Sequence, residues 1–260
     1  MVFFHQYFLI FALCTLYVES ANPIAQFCNE FSYTITPELS QNIDSVKAKL
    51  IQNTPQTGFN ITEFGDEGKE VNGVAQCRGD VPSQECTACL QTAAKEAKKM
   101  CPNQVEALLW YEYCFLRYGT RNVIGDDSLD FRVVQYNVEY VTNPKLFKEI
   151  LTELTSKIKN VSLEPDSKGF GKGEAKLSNS ETLYAMSQCT RDTSMRYCEQ
   201  CLTIAFETTG SLCENKKGCR IIQSTCYLRY ELYPFLYGTE KKLSLENSSM
   251  TKYLTVVRKP

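Results

Sequence analysis

The sequence predicts two α+β domains in tandem, and three observations carry that prediction. Cys77, Cys86, Cys89, Cys101 and Cys114 recur 112 positions later as Cys189, Cys198, Cys201, Cys213 and Cys226 without a gap, so one unit has been duplicated. Each copy opens with a helix-period apolar pattern, and each closes on runs in which apolar residues alternate. The same shift carries Gln76 to Gln188, Asp80 to Asp192, Leu90 to Leu202, and Leu116-Arg117-Tyr118 to Leu228-Arg229-Tyr230.

The first unit opens at Cys28 and reaches a helix at Thr36-Pro37-Glu38, where threonine caps, proline occupies the first turn and glutamate suits the helix dipole. Leu39, Ile43, Val46 and Leu50 then share one face. The second unit repeats the device with Asn143-Pro144, followed by Phe147, Ile150, Leu151, Leu154 and Ile158. A second helix starts around each C-x2-C. There Cys86, Cys89, Leu90, Ala93, Ala97 and Met100 recur three or four apart, as do Cys198, Cys201, Leu202, Ala205 and Phe206. Leu108 to Tyr118 and Ile221 to Tyr233 read as strands with one buried face, carried by Cys114, Leu116 and Tyr118 and by Cys226, Leu228, Tyr230 and Leu232. Glycines such as Gly58, Gly73 and Gly171 punctuate the region between the helices, and shorter strands such as Phe131 to Tyr136 complete an antiparallel sheet.

Residues 1–20 hold the apolar run Tyr7-Phe8-Leu9-Ile10-Phe11-Ala12-Leu13, with Val18 and Ser20 small enough to precede a cut before Ala21. They read as a secretory signal, the run being shorter than the ~20 apolar residues of a membrane span. Without them the chain holds 28 basic residues, 29 acidic residues, 12 cysteines and no histidine. That balance, with no long basic block, argues against a nucleic-acid partner held by counterion release. No second apolar stretch of spanning length follows, so the expectation is an extracellular chain with no membrane span. Residues 23–126 and 132–240 enclose the two domains, and 241–260 read as a polar C-terminal tail. The sequons at Asn60, Asn160 and Asn247 are glycosylation candidates that suit the secretory route.

An exported chain meets an oxidising compartment, where an even cysteine count is most simply a disulfide framework. Zinc is the first rival, because C-x2-C is a familiar half-site, but no histidine remains and C-x8-C is not the usual second half. Thiol redox catalysis by Cys86-Thr87-Ala88-Cys89 or Cys198-Glu199-Gln200-Cys201 is the second. A reactive thiol needs a nearby cation or helix start, and Glu85, Glu96 and Glu199 carry the wrong sign.

The pattern C-x8-C-x2-C, with further cysteines 12 and 25 positions after the third and Arg229-Tyr230-Glu231-Leu232-Tyr233-Pro234-Phe235 in the second unit, resembles the ginkbilobin-homologous domain of plants. The tandem arrangement behind a signal resembles the cysteine-rich repeat secretory proteins. The resemblance implies that each domain is a five-stranded antiparallel sheet with two helices. It also implies disulfides Cys28 with Cys101, Cys77 with Cys86, and Cys89 with Cys114 in the first unit, and Cys189 with Cys198 and Cys201 with Cys226 in the second. Nothing in the second unit matches Cys28, and Cys219 is extra, so Cys213 is expected to bond Cys219. Closing a ~7-residue loop rather than a ~70-residue one should stabilise less, by about 1 kcal/mol or more.

Hydrolytic or acyl-transfer chemistry usually needs histidine as base, and none survives. Asp126-Asp127 and Asp66-Glu67 lie in Gly-containing turns and read as turn chemistry. No catalytic residue, metal site or cofactor is therefore expected. The resemblance also implies a mannose-binding triad of Asn, Arg and Glu, residue types that donate to and accept from adjacent sugar hydroxyls. Asn29 matches in the first unit, with Leu108 and Gly119 in the other two places. Arg220 and Glu231 match in the second, and Asn137 lies near the third place when the helix prolines are aligned. The competing reading makes Arg220 and Glu231 an ordinary cross-strand ion pair on a solvated face that Arg229 shares.

The function these readings favour is a secreted, non-enzymatic binding or interaction module of the plant apoplast, in defence. A mannose-type antifungal lectin and a secreted thiol oxidoreductase are the alternatives. The expected partners are cell-wall or fungal glycans, or related receptor ectodomains.

Overall fold

The computed structural model of the chain describes residues 22–28, 35–66, 68–125, 131–239 and 253–258. The signal segment, Asn29, Glu67, Asp126, Asp127 and Asn247 lie outside them. The first repeat runs β1 (Ala25–Cys28), α1 (Pro37–Thr57), β2 (Phe59–Phe64), β3 (Val71–Cys77), α2 (Ser83–Met100), β4 (Ala107–Trp110) and β5 (Cys114–Gly119). The second runs β6 (Arg132–Asn137), α3 (Pro144–Ser162), β7 (Phe170–Lys176), β8 (Thr182–Cys189), α4 (Met195–Leu212), β9 (Gly218–Gln223) and β10 (Cys226–Glu231), and β11 (Tyr253–Arg258) follows.

Local chemistry sets the helix starts. The Thr36 side chain accepts from the Leu39 amide and Pro37 fills the first turn, while Asn143 and Pro144 play the same parts for α3. Ser194 caps α4, accepting from the Tyr197 amide. α1 stops at Gly58, whose φ of 77° is the left-handed geometry that glycine adopts without a Cβ penalty.

The sheets are antiparallel, ordered β1-β4-β5-β3-β2 and β11-β6-β9-β10-β8-β7. Two features of the strand order differ from the sequence reading. The runs Leu108 to Tyr118 and Ile221 to Tyr233 are not single strands: each folds into a hairpin, β4–β5 and β9–β10. Neither turn contains glycine or proline, the residues that usually signal one. In addition, residues 253–258 of the polar tail pair along their whole length with β6 and give the second sheet a sixth strand.

The strands also bury both faces, where one was expected. On one side Leu109, Leu116 and Tyr118 pack beneath α1 and α2. On the other, Val74, Leu108, Trp110 and Phe115 meet Val133, Met186, Ile222 and Tyr227 of the second repeat. Ile221, Leu228 and Tyr230 complete the arrangement under α3 and α4. The layers therefore run helix, sheet, sheet, helix, and the two repeats share a core.

Six disulfides join Cys28 to Cys101, Cys77 to Cys86, Cys89 to Cys114, Cys189 to Cys198, Cys201 to Cys226 and Cys213 to Cys219. Register explains the odd one. Cys28 faces Ala107 across β1–β4, and Tyr136 faces Cys219 across β6–β9. Ala107 and Cys219 are repeat equivalents, so Tyr136 stands where Cys28 stood, and Cys213 finds its sulfur on the neighbouring strand. Tyr136 is held another way: the Lys216 ammonium lies 5.5 Å from its ring centroid and 3.5 Å from that of Tyr140. The Cys213–Cys219 loop is bound further by Val141 N donating to Asn215 O (2.9 Å) and Lys217 N to Glu139 O (3.1 Å).

Candidate functional site

The polar residues that the repeats share converge on the seam between them. Gln76 Nε2 donates to Cys189 O (2.9 Å), and Gln188 Nε2 to Cys77 O (3.2 Å). Gln76 Oε1 accepts from Arg191 N (2.8 Å), and Gln188 Oε1 from Gly79 N (3.0 Å). Asp80 Oδ2 accepts from Tyr237 N and Asp192 Oδ2 from Gly125 N, both at 2.9 Å. Each pair of bonds is related by the repeat shift, so the two units face one another across a pseudo-two-fold axis. The sequence shows the matched glutamines and aspartates; that each reaches into the other repeat becomes visible only when the sheets meet.

One charged cluster breaks this symmetry. Glu112, in the β4–β5 turn, reaches the second repeat: its Oε1 lies 2.7 Å from Arg78 Nη1 and 2.5 Å from Arg229 Nη1, and its Oε2 lies 3.6 Å from Arg220 Nη1. Burial pushes the Glu112 carboxyl up, but the guanidinium groups of Arg229, Arg220 and Arg78 outweigh it and hold the group below the usual carboxylate range. Sequence reasoning missed Glu112 because its repeat equivalent is Ser224, and a search for shared residues passes over it.

Arg220 and Glu231 come together, with Nε and Oε1 3.5 Å apart, but the solvated face expected of them is absent. Their side chains are 8% and 0% exposed, and Glu231 Oε1 also accepts from Arg229 Nε at 3.1 Å. Tyr253 of β11 closes the remaining side, its hydroxyl donating to Glu231 Oε2. Asn137 follows Tyr136 as Asn29 follows Cys28, so the register places Asn137 beside this pair, on β6; its Oδ1 accepts from Glu139 N at 2.9 Å.

The first repeat keeps this carboxylate by moving it to the opposite strand. Gly218 faces Glu231 in the second repeat, and a Cβ on Gly218 would lie 1.9 Å from Glu231 Oε2. At the equivalent places the first repeat carries Glu106 and Gly119, and a Cβ on Gly119 would lie 3.3 Å from Glu106 Cγ. Glu106 is bound bidentately by Arg121 at 2.8 and 2.7 Å and lies 3.8 Å from Arg117 Nη2. Each repeat thus sets one carboxylate beside its buried central arginine, Arg117 or Arg229. A carboxylate exchanged between strands while the pair persists is what structural charge compensation requires.

The C-x2-C cysteines do not bond one another: Cys86 pairs with Cys77 and Cys89 with Cys114, and the second repeat follows suit. Of the sequons, Asn160 is exposed in the last turn of α3, and Asn60 is half-buried on the edge strand β2. Among the described residues no helix is long and apolar enough to cross a membrane.

Comparison with known proteins agrees with this architecture. The family model for salt stress response/antifungal domains matches residues 27–121 and again 135–233. Cysteine-rich repeat secretory protein 55 of Arabidopsis thaliana is 41% identical over 236 residues, covering 88% of this chain and 89% of that protein. An antimicrobial ginkbilobin-2-like protein of Castanea crenata is 34% identical over 230 residues, covering 88% and 95%. The crystal structure of the tandem DUF26 ectodomain of the Arabidopsis thaliana cysteine-rich receptor-like protein PDLP8 superposes with a TM-score of 0.72 at 25% identity, covering 82% of this chain and 98% of that one. The chain belongs to the salt stress response/antifungal family and carries its DUF26 domain in two copies.

Proposed function

We propose that this chain is a non-enzymatic interaction module of the plant extracellular space, acting in defence through protein recognition. The observation that carries the reading is the shared seam. The charged side chains that could bind or react are engaged with one another: Glu112, held by Arg78, meets Arg220 and Arg229 across the seam, and Glu231 is held by Arg220 and Arg229 behind it, so the helical layers and loops are left to meet a partner. A rigid pair of domains presenting two outer faces suits recognition, and the likeness to a receptor-like ectodomain supports such a partner. The test is surface-immobilised, disulfide-intact protein exposed to tandem-DUF26 ectodomains and to a glycan array. The reading predicts saturable binding to an ectodomain and none to glycans; glycan binding alone would overturn it.

A mannose-type lectin is the second reading, favoured by one observation: Asn137, Arg220 and Glu231 lie on the neighbouring strands β6, β9 and β10. It predicts mannan binding that Arg220→Ala abolishes. Equal titrations of wild type and variant would end it.

A further inference from the structure

β11 behaves as an occupant of the second sheet more than as part of its core. Its six residues pair with β6 from Tyr253 opposite Asn137 to Arg258 opposite Arg132, yet Leu254, Val256 and Val257 stay 53%, 43% and 52% exposed. The anchor is Tyr253. Its hydroxyl donates to the buried Glu231 carboxylate, its ring centroid lies 5.5 Å from the Arg220 guanidinium, and its oxygen fills space that a Cβ on Gly218 would contest at 2.5 Å. Among the described residues the first repeat has no counterpart: β1, the equivalent of β6, is the last strand of its sheet, and that repeat still builds a full core.

We propose that the outer edge of β6, with the Glu231–Arg220 pocket behind it, is a strand-docking site at which β11 of a second copy takes the place of the chain's own β11, which yields a strand-exchanged dimer. Main-chain pairing supplies the grip and one tyrosine pocket supplies the specificity, as in other strand additions. The occupant is a second copy because that strand already matches both the register and the pocket. Residues 240–252 separate Thr239 from Tyr253, a length that reaches about 40 Å when extended. Exchange makes identical contacts in each half, so it closes after two copies. The surface is separate from the helical faces and stands whether or not those bind an ectodomain.

The test uses the full-length protein and a fluorescent peptide spanning Thr251–Pro260. The peptide should bind saturably to Tyr253→Ala protein, whose own strand has lost its anchor, and a Tyr253→Phe peptide should bind about tenfold more weakly for want of the bond to a charged group. Concentrated wild type should form a dimer in sedimentation that excess peptide dissolves. Hydrogen exchange on wild type, which needs no variant, should find the β6–β11 amides less protected than those of β9–β10. Absence of peptide binding to a Tyr253→Ala protein with native disulfides and circular dichroism would overturn the proposal. So would equal protection of both strand pairs, or a dimer that the peptide leaves intact.

Discussion

Glu112 is the residue on which the two repeats depend most unequally. Three arginines surround it, and removing one partner of a buried ion pair commonly costs about 3–5 kcal/mol because the others stay buried and uncompensated. Glu112→Gln keeps the shape and removes the charge, so urea titration at neutral pH should show a loss toward the lower end of that range. The pH dependence follows from the lowered carboxyl. Stability from Glu112 is fully present above the ordinary carboxylate value of 4.5, and is lost as pH falls below it through the depressed native value. Wild type should therefore lose stability relative to Glu112→Gln on acidification below 4.5; parallel losses would show that the cluster is not the source. Arg229→Met gives a comparison: it leaves Glu112 two guanidinium groups and Glu231 the Arg220 guanidinium, so the unfolding free energy should fall by less than it would for a carboxylate left with no cation.

At the scale of elements, the second repeat keeps a staple of a different span. Cys28–Cys101 closes a separation of 73 residues and Cys213–Cys219 one of 6, a difference worth about 2 kcal/mol in chain entropy. Replacing Cys28 and Cys101 by serine should therefore lower the unfolding temperature of the protein more than replacing Cys213 and Cys219 does. The reverse order would mean that local contacts of the 213–219 loop outweigh closure entropy. These elements also show what a sequence discloses. The helices were legible because their signals are local: Thr36 and Asn143 cap within three residues, and the apolar stripes have helix period. The hairpins were not, because Leu108 to Tyr118 passes through the turn at 111–113 without the glycine or proline that would mark it. The paired Gln76/Gln188 and Asp80/Asp192 were visible as repeats but silent as contacts, since nothing local says that they cross to the other unit. Burial of Arg220 and Glu231 was hidden for the same reason: the cover comes from Glu112, over 100 positions earlier, and from Tyr253.

The whole molecule is one folding body made from two copies of one unit. Each sheet turns its second face inward, and an isolated first repeat would expose Val74, Leu108, Trp110 and Phe115 together. Such a patch drives association. The fragment 22–125 should accordingly run as oligomer or aggregate in size-exclusion chromatography, and a well-behaved monomer would contradict the shared core. Outward, among the described residues, the helices present their polar faces and the edge strands β2 and β11 keep exposed apolar side chains such as Ile61 and Leu254.

The chain contains one tryptophan, and it sits on this seam: Trp110 is 3% exposed and its Nε1 donates to Gln223 O of the other repeat at 3.0 Å. Its fluorescence therefore reports separation of the repeats, while far-ultraviolet circular dichroism reports their individual folds. Equilibrium unfolding in guanidinium should give a blue-shifted native emission and a single transition, with the two signals coincident. A red shift of Trp110 emission at denaturant concentrations where the circular dichroism is still native would show that the repeats part before they unfold, and would contradict the single body described above.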